Sequence, residues 1–180
     1  MKSHAAELGI RADQIMVGGE SAGGGLCAAL CIKARDTGAV NVAFQMPLYP
    51  MLDDRETETS RDNHGEVWNT RRNRFAWCCY LRGQKRGDLS PYAAPARLTD
   101  FSDLPPAYTF VGDGEPFYAK TVRYIENLKK CGIPASVDVY HSDMHAFDMM
   151  QPDTPLSREA ARRFNEQFAY AQAHYFAPQR

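Results

Sequence analysis

The sequence predicts an α/β fold, a parallel sheet of about four strands flanked by helices, and three observations predict it. Short apolar runs alternate with longer helical patterns four times along the chain, the mark of strand–crossover–strand units. A length of 180 residues suits one ordinary domain, so residues 1–180 are read as a single, partial unit with an insertion at 53–100. The hydrophobic fraction of 44% fills a core, yet no apolar run approaches the roughly 18 residues that a membrane span needs.

The elements follow in order. Residues Gln14 to Gly18 read as a short strand, and Ser21 to about Arg35 as a helix of small and apolar residues that closes near Gly38. Asn41 to Leu48, "NVAFQMPL", is a second buried strand, ended by Pro47 and Pro50 because proline cannot donate to a ladder. Asp53 to Gly65 is acidic and polar and reads as a surface loop. Arg71 to Leu81 is helical, with Phe75 and Cys78 or Cys79 on one face and arginines on the other.

Ala107 to Val111, "AYTFV", is a third strand. The helix after it carries Val122, Ile125, Leu128 and Cys131 three apart and stops at Gly132. Ala135 to Tyr140 alternates apolar and polar residues, as an outer strand with one wet face does. Thr154 caps a last helix with Pro155 at its first position; Leu156, Ala160, Phe164, Phe168, Ala171 and Tyr175 form its core-facing stripe.

The formal charge of -1, from 21 basic and 22 acidic residues, gives no electrostatic reason to expect nucleic acid or an acidic membrane as a partner. A small molecule is the expected ligand. "MKSHAAELGI" has a lysine but no apolar core or cleavage site, so it does not resemble a secretory signal and points to the cytoplasm. Five cysteines, an odd number without C-x-x-C, read as reduced core residues.

Function in such sheets sits at the carboxyl ends of strands. Gly19-Glu20-Ser21-Ala22-Gly23 matches G-x-S-x-G between a predicted strand and a predicted helix. In such a nucleophile elbow the serine backbone is strained, and small residues two before and two after it let strand and helix approach. A Gly-rich strand-to-helix turn also cradles phosphate, but neither G-x-x-x-x-G-K-[ST] nor G-x-G-x-x-G occurs there. Glu20 reads as structural, accepting hydrogen bonds near the elbow.

A serine nucleophile requires a base, and the base an orienting acid, here in chain order serine, acid, histidine. The third strand leads into Gly112-Asp113-Gly114-Glu115-Pro116 and the fourth into His141-Ser142-Asp143-Met144-His145. His141 and His145 as a zinc pair lack H-E-x-x-H, a nearby cysteine and a helix; no metal and no cofactor are expected. His4, His64 and His174 read as surface residues.

Together these segments resemble the bacterial hormone-sensitive-lipase-like esterases of the α/β-hydrolase fold, over nearly the whole chain. "GGESAGGG" is similar to that family's G-[DE]-S-A-G-G, "MPLYPMLD" to its next strand and loop, "LPPAYTFVGDGEPF" to its acid-bearing loop, and "MHAFDMM" to its H-G-F segment, with Ala146 in place of the usual glycine. The resemblance implies Ser21 as nucleophile, His145 as general base, Glu115 as acid with Asp113 as runner-up, and the Ala22 amide as an oxyanion donor. It implies hydrolysis of a small-molecule ester, of short acyl chain at the level of the family, with the helical insertion contributing to a cap.

The family also carries an H-G-G-G segment before the elbow, with further oxyanion donors, and the twenty residues before Ser21 lack it. The expectation is therefore a carboxyl-terminal half of the fold. Its elbow strand would lie at an edge and pair through residues 14–18 with a second copy or with a missing amino-terminal segment. The competing expectation is a catalytically silent interaction protein.

Overall fold

A computed structural model describes residues 1–84 and 86–179. Four strands, β1 (Met16–Glu20), β2 (Phe44–Leu48), β3 (Ala107–Gly112) and β4 (Ala135–Tyr140), form one parallel sheet in the order β1-β2-β3-β4. The helices are α1 (Ala22–Thr37), α2 (Thr70–Tyr80), α3 (Tyr118–Lys130), α4 (Phe147–Met150) and α5 (Pro155–His174). The chain steps from each strand to its neighbour, so all strand carboxyl ends, and the loops after them, gather on one side.

β1 begins two residues later than the sequence suggests, because Ala12–Gln14 turns as a short 3₁₀ segment. The Gln14 side chain is drawn to α5, where its amide donates to the Gln172 and Tyr175 carbonyls. The free edge is therefore residues 16–20 and not 14–18. β1 meets β2 from Met16 opposite Phe44 to Glu20 opposite Leu48.

Pro47 does not end β2 but lies inside it. Having no N–H, it adds nothing to the ladder with β3; Gln45 and Tyr49 donate across on either side of it, to Pro106 and Phe110. Thr109 Oγ1 donates to the Pro47 carbonyl at 2.5 Å. The Pro47 carbonyl is thus satisfied from β3, and the strand loses only the one bond that the Pro47 N–H would have made.

Two apolar layers sandwich the sheet. On one face α1 and α3 bury Ala28, Cys31, Ile32, Tyr124, Ile125 and Leu128. On the other, Phe44, Met46, Leu48, Tyr108 and Phe110 meet Ala160 and Ala171 of α5. α5 starts as its sequence indicates: Thr154 accepts from the Ser157 amide and Pro155 takes the first position. Its stripe is shorter than expected, for Phe168 is partly exposed beside β1.

α2 is present but turned. Asn73, Trp77 and Leu81, four apart, face inward, whereas Phe75, Cys78 and Cys79 are exposed. The helix docks over the strand ends with a cluster of Met51, Trp77, Leu89 and Phe117, so a single Trp stripe sets its orientation. Only Cys27 and Cys31 are core residues; Cys131 is exposed as well.

The stretch from Asp53 to Gly65 is no plain surface loop. Asp53, Thr57 and Ser60 are buried. The buried Lys120 ammonium on α3 donates to the Asp53 and Arg55 carbonyls, and Asp54 pairs with Arg97 at 2.7 Å. Among the described residues no helix is long and apolar enough to cross a membrane.

Candidate active site

Ser21 sits between the end of β1 and the start of α1 with φ 54° and ψ -116°. That region is unfavourable for a residue with a Cβ. Three backbone bonds hold it there: its amide donates to Leu48, and its carbonyl accepts from Gly25 and Met51. The hydroxyl therefore projects at the carboxyl edge of the sheet rather than along the helix.

The close approach of strand and helix depends on Gly19. A Cβ there would lie 2.3 Å from the Gly23 carbonyl oxygen, and one at Gly25 would lie 2.2 Å from the Met51 oxygen. Gly23 is different, since a Cβ on it would meet no atom within 4 Å. The tight contact is made at Gly19, Gly24 and Gly25, so the symmetrical role expected for Gly23 is corrected: its backbone crowds Gly19, but its own side-chain position is open.

Ala22 opens α1, so its N–H has no intrahelical acceptor, and among the described residues it donates to no backbone carbonyl. It is free to point a donor at an anion beside Ser21. Glu20 does not act as expected. It is exposed, and its carboxylate accepts no hydrogen bond among the described residues.

The loop after β4 delivers His145, 4% exposed, and the loop after β3 delivers Glu115, 1% exposed. His145 Nε2 lies 2.8 Å from Ser21 Oγ, and His145 Nδ1 is hydrogen-bonded to Glu115 Oε2. A carboxylate at Nδ1 selects the tautomer with its proton there, which leaves Nε2 able to accept from the serine hydroxyl. Burial pushes the Glu115 carboxyl up, and the bond to His145 opposes that rise.

Asp113 and His141 form a separate pair. His141 Nδ1 is 3.0 Å from Asp113 Oδ2, on a ring 98% exposed. The His141 contact holds the Asp113 carboxyl below its ordinary range and raises the imidazole in turn. Asp113 also accepts from the Ser142 amide. It thus ties the two loops together from outside, and Glu115 alone reaches His145. His4, His64 and His174 lie on the surface.

The sequence reading missed the walls around the imidazole. Tyr49, Trp68 and Phe117 surround it with ring centroids 5.2, 6.1 and 5.1 Å from that of His145. It also missed the braces: Asn63 Nδ2 donates to the Gly114 carbonyl at 2.8 Å and Thr59 Oγ1 to the Pro116 carbonyl at 3.3 Å. These residues come from separate loops with no shared period, so no local signal marks them. An apolar cavity of about 490 Å³ adjoins Ala22, lined also by Met51, Ala76, Trp77, Tyr80 and Ala93.

A family model described as "alpha/beta hydrolase fold" matches residues 1–149. The chain belongs to the α/β-hydrolase family. Within it, the chain falls in the hormone-sensitive-lipase-like esterase group. Esterase LipI of Mycobacterium tuberculosis is 29% identical over 162 residues, covering 89% of this chain and 51% of LipI. An arylesterase of Saccharolobus solfataricus is 30% identical over 150 residues, covering 81% and 48%.

Solved structures agree. A bacterial heroin esterase superposes with a TM-score of 0.85 at 34% identity, covering 90% of this chain and 53% of that one. Esterase LipW of Mycobacterium marinum reaches 0.88 at 27% identity, with 94% and 54% covered. The chain thus spans about half the length of the curated relatives it matches.

Proposed function

We propose that this chain carries the hydrolytic centre of a serine carboxylesterase, with Ser21 as nucleophile, His145 as general base and Glu115 as orienting acid. The observation that carries the reading is the unbroken relay from Ser21 Oγ through both His145 nitrogens to Glu115, set at three strand carboxyl ends. As Ser21 Oγ attacks the ester carbonyl, its proton passes to His145 Nε2, and the imidazolium is stabilised by Glu115. The Ala22 N–H donates to the developing oxyanion, a contact whose loss costs roughly 10²–10³ in rate.

His145 then returns the proton to the departing alcohol oxygen. Water, deprotonated by the same imidazole, releases the acid from the acyl-enzyme. The apolar cavity beside Ala22 supports a short, uncharged acyl or aryl group as the part held nearest the serine. No cofactor enters this scheme.

The experiment is hydrolysis of p-nitrophenyl acetate together with labelling by a fluorophosphonate, on the chain and on Ser21→Ala. Labelling that disappears in the variant supports the assignment. An unlabelled serine in a folded chain overturns it.

A second reading is favoured by the free edge of β1. Clefts line both of its faces, one between Val17, Leu26, Leu30 and Tyr92 and the other between Met16, Leu48, Phe164 and Phe168. An unpaired parallel strand with apolar flanks is a template for a further strand. We propose that residues 16–20 pair with a second copy, or with the kind of segment that the longer relatives carry outside the matched half. A partner of the second kind would also supply more oxyanion donors. Scattering that gives a monomer, with rapid amide exchange along 16–20, rules the pairing out; a chain that pairs yet leaves Ser21 unlabelled is a silent binding platform.

A further inference from the structure

Beside His145 lies a second carboxylate that the hydrolytic scheme leaves unused. Asp148 is on α4, three residues after His145. Its Oδ2 accepts from Tyr49 Oη at 3.4 Å. Its Oδ1 is buried with no hydrogen-bond partner among the described residues, a costly arrangement that calls for an explanation.

Tyr49 supplies one. It is fully buried, and its ring meets that of His145 edge to face at 5.2 Å and that of Phe110 at 5.3 Å. Its backbone has φ 31°, and its amide is fixed to the Phe110 carbonyl. The phenol is thus wedged between the sheet and the imidazole, and the Asp148 carboxylate is the only polar contact of its hydroxyl among the described residues.

We propose that Asp148 is a positioning residue for His145: it fixes the Tyr49 ring against the imidazole and places a second negative charge beside the imidazolium formed during catalysis. The proposal rests on His145 being the general base. Asp148 is half-buried, and a charge held away from bulk solvent acts more strongly than one in open water. The groups facing the imidazole are Ser21 after β1, Tyr49 after β2 and Glu115 after β3, with Trp68 and Phe117 contributing aromatic rings; Asp148 on α4 stands behind the Tyr49 hydroxyl, close enough to sense the His145 charge. Glu20 at the end of β1 acts on the Tyr49 phenol. Burial raises the Asp148 carboxyl, and the Tyr49 hydroxyl opposes the rise.

The test uses Asp148→Asn, which keeps the shape and an acceptor for Tyr49 but removes the charge, and Tyr49→Phe, which keeps the ring but removes the hydroxyl. The readouts are the NMR titration of the His145 ring protons, which needs no turnover, and the acidic limb of the kcat/KM profile with p-nitrophenyl acetate. In Asp148→Asn both should move to lower pH by about half to one pH unit, as expected when an opposite charge is withdrawn. The plateau of kcat/KM should fall about tenfold from the loosened imidazole, mostly in kcat. Tyr49→Phe should move both in the same direction by less, because an unbonded Asp148 takes up a proton more readily.

If Asp148→Asn does not fold, Tyr49→Phe decides. An unchanged ring titration in the folded variants overturns the role of Asp148, whatever the activity. A titration that moves as expected in a chain that hydrolyses no ester keeps the charge coupling and sinks the esterase reading instead.

Discussion

The two flanks of Ser21 are built differently. On the side of β3 and β4, Glu115 and His145 are 1% and 4% exposed, walled by three aromatic rings and braced by Asn63 and Thr59. On the side of β1, the strand is an edge, Gly18 and Glu20 are exposed, and clefts run along both faces. Proton relay and anion stabilisation are thus separable in this molecule. The chain assembles the first by itself, from loops that contact each other, while on the open flank the Ala22 N–H is the free backbone donor beside Ser21 among the described residues.

The largest expected break falls on the closed flank. Glu115→Gln should slow fluorophosphonate labelling of Ser21 by about 10³–10⁴-fold while leaving the melting temperature within a few degrees, since the amide fits the same site but fails to hold the tautomer. Labelling within threefold of the parent would mean that another carboxylate reaches His145.

Next comes the contact between the flanks. Gly19→Ala forces a Cβ to within 2.3 Å of backbone, and should lose about 3 kcal/mol or more by denaturant titration, in the range of overpacking at its severe end. Gly23→Ala, into open space on the open flank, should be neutral or gain up to about 1 kcal/mol from helix propensity. Equal effects would erase the distinction drawn between the two glycines.

The brace under the closed flank is sensitive to pH. Burial lowers Lys120 to about 8, below its unfolded value near 10.4, so between pH 8 and 10.4 the unfolded chain binds more protons and stability rises with pH. Lys120→Met should lose this rising limb and, at neutral pH, cost about 1–3 kcal/mol, because the Asp53 and Arg55 carbonyls lose their charged donor. Urea titrations at pH 7, 8.5 and 10 would read both effects; parallel curves for parent and variant would remove the role assigned to Lys120.

The smallest effect is at Ala146, which holds φ 55° and ψ 41°, a left-handed conformation that glycine adopts without strain. Ala146→Gly should stabilise the chain by about 0.5–1 kcal/mol, with His145 unmoved. A destabilised variant would show that the Ala146 methyl, packed on the layer beside Phe147, outweighs the backbone strain.

The elements were legible where one physical cause dominates. Four strand–helix alternations, Gly38 closing α1 and Thr154 opening α5 are local, and their chemistry is complete within a few residues. Pro47 misled because the ladder tolerates one missing donor when Gln45 and Tyr49 on either side of it still donate to β3. α2 misled because three apolar residues were offered, Phe75, Cys78 and Cys79, and docking chose the Trp77 stripe. Residues 53–65 looked like solvent-facing loop since the partners that satisfy them are distant in sequence, Lys120 for the Asp53 carbonyl and Arg97 for the Asp54 carboxylate.

The same division holds for the site. The sequence by itself determined the types and order of the reacting groups, because G-x-S-x-G, the acidic loop and the histidine loop each follow a strand whose apolar run places its end. It also determined the strain at Ser21, since only a sharp strand-to-helix turn satisfies that spacing. The tertiary structure alone decided between Glu115 and Asp113, which stand two residues apart with the same chemistry: Glu115 turns inward to the buried His145, and Asp113 outward to His141. It alone brought Tyr49, Trp68, Phe117 and Asp148 around one imidazole. Contacts between loops depend on how four strands stack in register, and nothing within a single loop encodes which neighbour it will meet.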